Sequence, residues 1–287
     1  MVLPRCVRRV DLPLSIGPIA ALEARPERSV EATALLVPGF TGSKEDFLPL
    51  LEPLADAGVR VLAVDQRGQC DSPGLADPVG YLGTGYGDGA FASDIRALVR
   101  QLVADGSGPV HLLGHSFGGY AVREALLGAA ADSPLPLGSV TILDSGPAAV
   151  VTKGSWERLE LLLSIEGQLT LQQIHDVSPV DGHDDPQVRE FLLRRWLAND
   201  PASIFAMARQ LHDEPDRTDD LKALLTAWDL RCLVVTGSDE DVWSADLLQD
   251  MAARLGAAFT LIPDAGHSPN TQQPGLLTKA LLEFWLG

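Results

Sequence analysis

Three distant side chains in this sequence could together cleave a carbonyl compound. Ser116 sits at the centre of Gly114-His115-Ser116-Phe117-Gly118, inside VHLLGHSFGGY (110–120). An apolar, strand-like run precedes it and a helical pattern follows, the context in which G-x-S-x-G has mechanical meaning. The chain must reverse from strand to helix within a residue or two. That forces the serine into a strained backbone conformation, which small residues at 114 and 118 accommodate. Its hydroxyl is then presented at the C-terminal edge of a sheet, beside the positive end of a helix dipole. A serine hydroxyl is a weak nucleophile at neutral pH and needs a base. His267, in IPDAGHSPNTQQP (262–274), follows the last strand-like run and is placed to supply one. The imidazole in turn needs a carboxylate to fix its tautomer. VVTGSDEDVWS (234–244) offers Asp239, Glu240 and Asp241 at the end of the preceding run, in the chain order serine, acid, histidine.

The elements that must bring these residues together are legible as a repeated pattern. Short runs rich in leucine and β-branched residues recur at 32–39, 60–66, 109–116, 139–146, 231–238 and 258–266. Being almost continuously apolar, they read as strands buried on both faces of a mostly parallel sheet. Between them, Ile95, Leu98, Val99, Leu102 and Val103 form the stripe of an amphipathic helix. Further helices are expected at 46–57, 117–129, 245–255 and 275–286, and two antiparallel strands within 6–23. The alternation breaks between Pro147 and Trp228, where 155–165, 185–198 and 200–211 read as helices, the last with Asp200 as N-cap and Pro201 in its first turn. The expected organisation is a doubly wound α/β core of 1–146 and 229–287, with a helical cap of 147–228 inserted after the sixth strand.

Composition narrows the partners. The 287 residues carry 39 Asp+Glu against 22 Lys+Arg, a formal charge of -17, which repels nucleic-acid phosphates and anionic headgroups. No stretch approaches the ~18 apolar residues needed to span a bilayer. The basic start of the chain lacks an apolar region typical of a signal peptide. Cys6, Cys70 and Cys232 are distant, odd in number and without a CxxC pair. The expectation is a soluble cytoplasmic protein with a small-molecule substrate, no nucleic-acid or membrane partner, no cofactor and no metal.

Five motifs in order resemble those of the α/β-hydrolase fold superfamily, over nearly the whole chain. LLVPGFTGSKEDFLPL resembles its oxyanion loop, VLAVDQRGQCDSPG its D-x-R-G-x-G-x-S segment, and LLGHSFGGY its nucleophile elbow; LVVTGSDED and IPDAGHSPNTQQP resemble its acid and histidine loops. The resemblance implies a capped, esterase- or lipase-like serine hydrolase with Ser116 as nucleophile and His267 as general base. It also implies an oxyanion hole made by the backbone N–H groups of Phe40 and Phe117. For the acid it implies Asp241, four residues after the strand-end glycine and followed by Val-Trp-Ser. Glu240, three residues after that glycine, is the alternative, and Asp144 in TILDSG is a third position used by some members. Pro38 stands where the family usually has histidine, so the oxyanion loop must be braced differently. Cys70 stands where it usually has glycine, and is expected to be a small buried residue.

The function expected is cofactor-independent hydrolysis of a small or medium apolar ester through an acyl-enzyme. Thioester, lactone, amide or carbon–carbon bond cleavage would use the same apparatus. A receptor or biosynthetic accessory protein of low turnover is the alternative from another class. Other motifs carry less. YLGTGYGDGA fails the third glycine of a dinucleotide loop, GFTGSK lacks phosphate-loop spacing, and His183 among acidic neighbours reads as solvated loop. His115 reads as packing. Trp156, Trp196 and Phe205 either line a pocket or pack the cap helices.

Overall fold

The computed structural model of the protein describes residues 3–74, 86–87, 89–106, 108–129, 133–179 and 183–287. The glycine-rich residues Gly83, Gly85 and Asp88 lie outside them. The described strands are β1 (Val7–Leu14), β2 (Gly17–Ala24), β3 (Ala32–Val37), β4 (Val59–Val64), β5 (Val110–His115), β6 (Leu137–Leu143), β7 (Cys232–Gly237) and β8 (Ala258–Ile262). They form one sheet in the order β1-β2-β4-β3-β5-β6-β7-β8. β1 pairs antiparallel with β2 and β2 antiparallel with β4, while β4, β3, β5, β6, β7 and β8 run parallel.

The parallel strands are apolar throughout because both faces are covered, and the pleat sends alternate side chains to opposite layers. On β3, Leu35 and Val37 enter one core while Ala34 and Leu36 enter the other; Leu112 and Leu113 of β5 divide the same way. The first layer contains α2 (Ala90–Ala104), α3 (Phe117–Leu127), α8 (Thr218–Ala227) and α9 (Ala245–Leu255). The second contains α1 (Leu48–Asp56) and, after the short α10 (Pro269–Gln272), α11 (Pro274–Leu286). Ile95, Leu98, Val99 and Leu102 of α2 are all buried in the first core, as their spacing predicts. One strand departs from expectation. β8 is an edge strand with Ala258 and Leu261 exposed, because only β7 flanks it.

Between β6 and β7 the chain forms α4 (Lys153–Ser164), α5 (Leu171–Val177), α6 (Pro186–Leu197), α7 (Pro201–Asp213) and then α8. α6 and α7 each begin with an aspartate that caps the helix and a proline at its first position. Asp185 accepts from the Gln187 N–H at 2.8 Å and Asp200 from the Ala202 N–H at 3.0 Å. Leu171, Ile174, Trp196, Ile204 and Phe205 form a small core of their own, with Phe40 against it. α8 packs on α3 and α9, so the last helix before β7 sits with the sheet-flanking layer.

Candidate active site

Ser116 follows β5 with φ 53° and ψ −121°, the strained turn that its sequence context requires. The turn is possible because backbone fills the space a side chain would take. A Cβ on Gly114 would lie 2.3 Å from the Gly118 carbonyl oxygen, and one on Gly118 would lie 2.4 Å from that of Val37. The Ser116 N–H donates to the Leu143 carbonyl at 2.9 Å, tying the elbow to the end of β6.

His267 Nε2 lies 2.9 Å from Ser116 Oγ. Its Nδ1 faces Glu240, 2.8 Å from Oε2 and 3.0 Å from Oε1. A carboxylate only accepts, so Nδ1 carries the hydrogen and Nε2 is left to accept the serine proton. Glu240 Oε1 also accepts the N–H groups of Val242 at 2.6 Å and Trp243 at 3.2 Å. The Glu240 side chain is fully buried. Burial pushes its carboxyl up, but the hydrogen bond and charge of His267, a hydrogen bond from Asp144 and the Val242 N–H outweigh burial and hold it below the usual carboxylate range.

This corrects the choice of Asp241. Asp241 is exposed, and the carboxyl that reaches the imidazole is that of Glu240. The physical reason is local. The longer glutamate side chain folds back over the turn, where the two N–H groups just ahead of it in sequence hold its carboxylate under the histidine loop. Asp144, the third position considered, is buried, and its Oδ1 accepts from Thr236 Oγ1 and the Gly237 N–H. Asp239 is exposed.

Phe40 and Phe117 bracket the serine from the oxyanion loop and from the first position of α3. Among the described residues neither backbone N–H has an acceptor, and at the start of a helix such an N–H has no intrahelical partner. Both are therefore available to an oxyanion. The substitution of Pro38 is met from behind the loop. Gln66 Nε2 donates to the Pro38 carbonyl and Gln69 Nε2 to that of Gly39, each at 2.9 Å, while Gln69 Oε1 accepts the Gln66 N–H at 3.0 Å. Cys70, next to Gln69, has φ 44°, which explains why glycine suits that position. Its thiol is half-buried and raised to about 12 by burial and then by Asp65, so it is not a ready thiolate.

Sequence reasoning gave His115 no task, yet it is part of the site's framework. Its Nε2 lies 2.7 Å from the His267 carbonyl oxygen, fixing the histidine loop against the elbow. Burial, and then the charge of His267, push its imidazole down to about 4, so it is neutral at physiological pH. The signal available in the sequence was its place beside the nucleophile; the partner was not visible.

A cavity of about 950 Å³ opens over Ser116 and His267, between the oxyanion loop and α6. Phe40, Val188, Phe191 and Leu192 line it, but so do Asp46 and Arg195, which are ion-paired to each other. The cleft is thus of mixed polarity. Trp156, Trp196 and Phe205 do not line it. Trp156 stacks on His212, Trp196 Nε1 donates to the Leu171 carbonyl, and Phe205 is fully buried. His183 Nδ1 accepts the Asp185 N–H at 3.0 Å. Among the described residues Glu45, Asp65 and Cys70 bring possible metal-ligand atoms within 4.8 Å of one another. Lys44 Nζ already serves as the cation there, 2.6 Å from Asp65 and 3.2 Å from Glu45. Among the described residues no helix is long and apolar enough to cross a membrane.

Comparison with known proteins places the chain in a family. Residues 34–280 match the model of the Alpha/beta hydrolase family. A protein of Variovorax paradoxus (strain S110) named "Putative carbamate hydrolase RutD" is 35% identical over 272 residues, covering 87% of this chain and 90% of its own. Among solved structures, an esterase (EaEST) from Exiguobacterium antarcticum superposes with a TM-score of 0.73 at 18% identity, covering 94% of this chain and 96% of that one. A thermophilic esterase from Thermogutta terrifontis does so with a TM-score of 0.68 at 22% identity, covering 97% of each chain. An eight-stranded, mostly parallel sheet with a serine on its elbow, matched by a family model over most of the sequence, makes this chain a hydrolytic enzyme of the alpha/beta hydrolase family.

Proposed function

We propose that the enzyme is a cofactor-independent serine hydrolase of small or medium carboxylic esters, with Ser116 as nucleophile, His267 as general base and Glu240 as the acid of the triad. The observation that carries this reading is the unbroken hydrogen-bonded chain from Ser116 Oγ through His267 to Glu240. As Oγ attacks the ester carbonyl, its proton passes to His267 Nε2 and the carbonyl π pair becomes an oxyanion, held by the N–H groups of Phe40 and Phe117. Collapse breaks the bond to the alkoxy group, which takes the proton from Nε2 and departs as alcohol. Water then attacks the acyl-enzyme by the same route, and the acid and free Ser116 are released. Glu240 stays ionised throughout and stabilises the imidazolium.

We read 147–217 as the cap, with α6 as the wall facing the serine, and 218–228 as part of the core, because α8 packs on α3 and α9. The mixed lining supports an ester with an apolar acyl part and a polar or hydrogen-bonding remainder. Carbamates are attacked by the same apparatus, and the name of the 35% identical relative makes them the first non-ester class to assay. The three cysteines are free, which supports a reducing, cytoplasmic setting. The decisive experiment is labelling with a fluorophosphonate probe beside turnover of p-nitrophenyl esters of graded chain length. Labelling and turnover both lost in Ser116→Ala support the enzyme. Folded wild-type protein that neither labels nor turns over would favour the receptor reading.

A further inference from the structure

Behind the triad lies a second carboxyl group that the mechanism does not use. Asp144 directly follows β6 with φ 43° and has no solvent exposure. Its Oδ1 accepts two hydrogen bonds, from Thr236 Oγ1 at 2.8 Å and from the Gly237 N–H at 3.0 Å. Its Oδ2 is buried, and among the described residues no N–H or O–H group donates to it. After burial, the group that acts on this carboxyl most is the carboxyl of Glu240, through charge and hydrogen bonding.

Two carboxyl groups can share a hydrogen bond only if one of them carries a proton. Accounting for donors decides which. Glu240 receives N–H bonds from Val242, Trp243 and His267, an arrangement that suits an anion. Asp144 Oδ1 is saturated as an acceptor, and Oδ2, which has no donor of its own, is the oxygen left to carry the hydrogen. We infer that Asp144 is a neutral carboxylic acid whose Oδ2–H donates to Glu240, making it a positioning residue that holds the triad carboxylate beneath His267. Burial, followed by the charge and hydrogen bond of Glu240, moves the Asp144 carboxyl well above its ordinary range, in agreement with that assignment.

The role is to orient Glu240 without adding a second negative charge. Glu240 is fixed from one side by its turn N–H groups and from the other by Asp144, so its oxygens stay aligned with Nδ1. Glu240 acts on Asp144, His115 lies with its ring centroid 5.2 Å from that of His267, and Asp46 acts on His115.

This inference rests on the reading of Glu240 as the triad acid, and the test separates the two. Protein labelled with carbon-13 at the aspartate carboxyls should show one resonance that remains at the protonated position at pH values where an ordinary aspartate is ionised. That resonance should be missing from Asp144→Asn. In turnover of p-nitrophenyl acetate, Asp144→Ala that is folded by circular dichroism should lose about thirtyfold or more in kcat with KM within about threefold, the mark of lost positioning. Asp144→Asn, whose Nδ2–H can replace the O–H while Oδ1 keeps both acceptors, should recover kcat to within about fivefold of wild type. An Asp144 resonance that titrates like an exposed aspartate, an Ala variant with wild-type kcat, or an Asn variant as impaired as Ala would each overturn it. If Asp144→Ala does not fold, the carbon resonance and Asp144→Asn decide. Full activity in Glu240→Gln would instead defeat the triad reading, while the resonance would still report the proton on Asp144.

Discussion

His115 Nε2 and the backbone carbonyl of His267 are 2.7 Å apart, and this bond joins the elbow at Ser116 to the loop that carries His267. The residue preceding Ser116 thus holds the residue proposed to activate it. In His115→Phe the ring volume is kept but the donor is lost, leaving the His267 carbonyl unpaired. We expect kcat to fall about 10- to 100-fold with KM within about threefold, measured on a p-nitrophenyl ester. Because His115 is pushed down to about 4, it contributes no inflection to the rate near neutral pH.

The two neighbouring carboxylates should separate cleanly. Glu240→Gln keeps the shape but removes the charge opposite Nδ1 and permits the wrong tautomer, and should cost about a thousandfold or more in kcat/KM. Asp241→Asn alters an exposed group and should stay within about twofold of wild type. The reverse pattern would restore Asp241 as the acid.

Gln69 links the oxyanion loop to the turn that contains Gln66. Gln69→Leu removes one bond to the Gly39 carbonyl and leaves the buried Gln66 N–H without its acceptor. The expected costs are about 1–3 kcal/mol in urea unfolding and about tenfold in kcat, with the loop still formed.

Gly118 has no room for a side chain. In Gly118→Ala the added Cβ would lie 2.4 Å from the Val37 carbonyl oxygen and 2.7 Å from that of Pro38, forcing α3 away from the oxyanion loop. We expect destabilisation above about 2 kcal/mol, read as a lowered melting temperature, or insoluble protein.

Asp144 makes stability depend on pH with an unusual sign. Its folded carboxyl is raised, so the folded state holds a proton that the unfolded chain releases above about pH 4. Between that pH and the raised folded value this residue's contribution to stability falls as pH rises. Asp144→Asn removes the titration, so the variant should gain stability relative to wild type on going from pH 4 to pH 7, measured by urea midpoints at both. A relative change of the opposite sign would show that Asp144 is ionised in the folded protein.

Much of this molecule was legible before folding because its signals are local. The apolar runs at 32–39 and 109–116 became β3 and β5, the 95–103 stripe became the buried face of α2, and Asp200-Pro201 started α7. The elbow at Ser116 and the position of His267 follow from strand, glycine and chain order, which the sequence states directly. The choice between Glu240 and Asp241 was not local. Adjacent residues in a turn point in different directions, and only the docked histidine loop shows which one meets Nδ1. The same holds for Gln66 and Gln69 behind Pro38, for His115 against the His267 carbonyl, and for the proton shared by Asp144 and Glu240. Each depends on segments far apart in the chain, and burial between them gives a polar atom few partners, so tertiary packing selects the partner and, through desolvation, its charge.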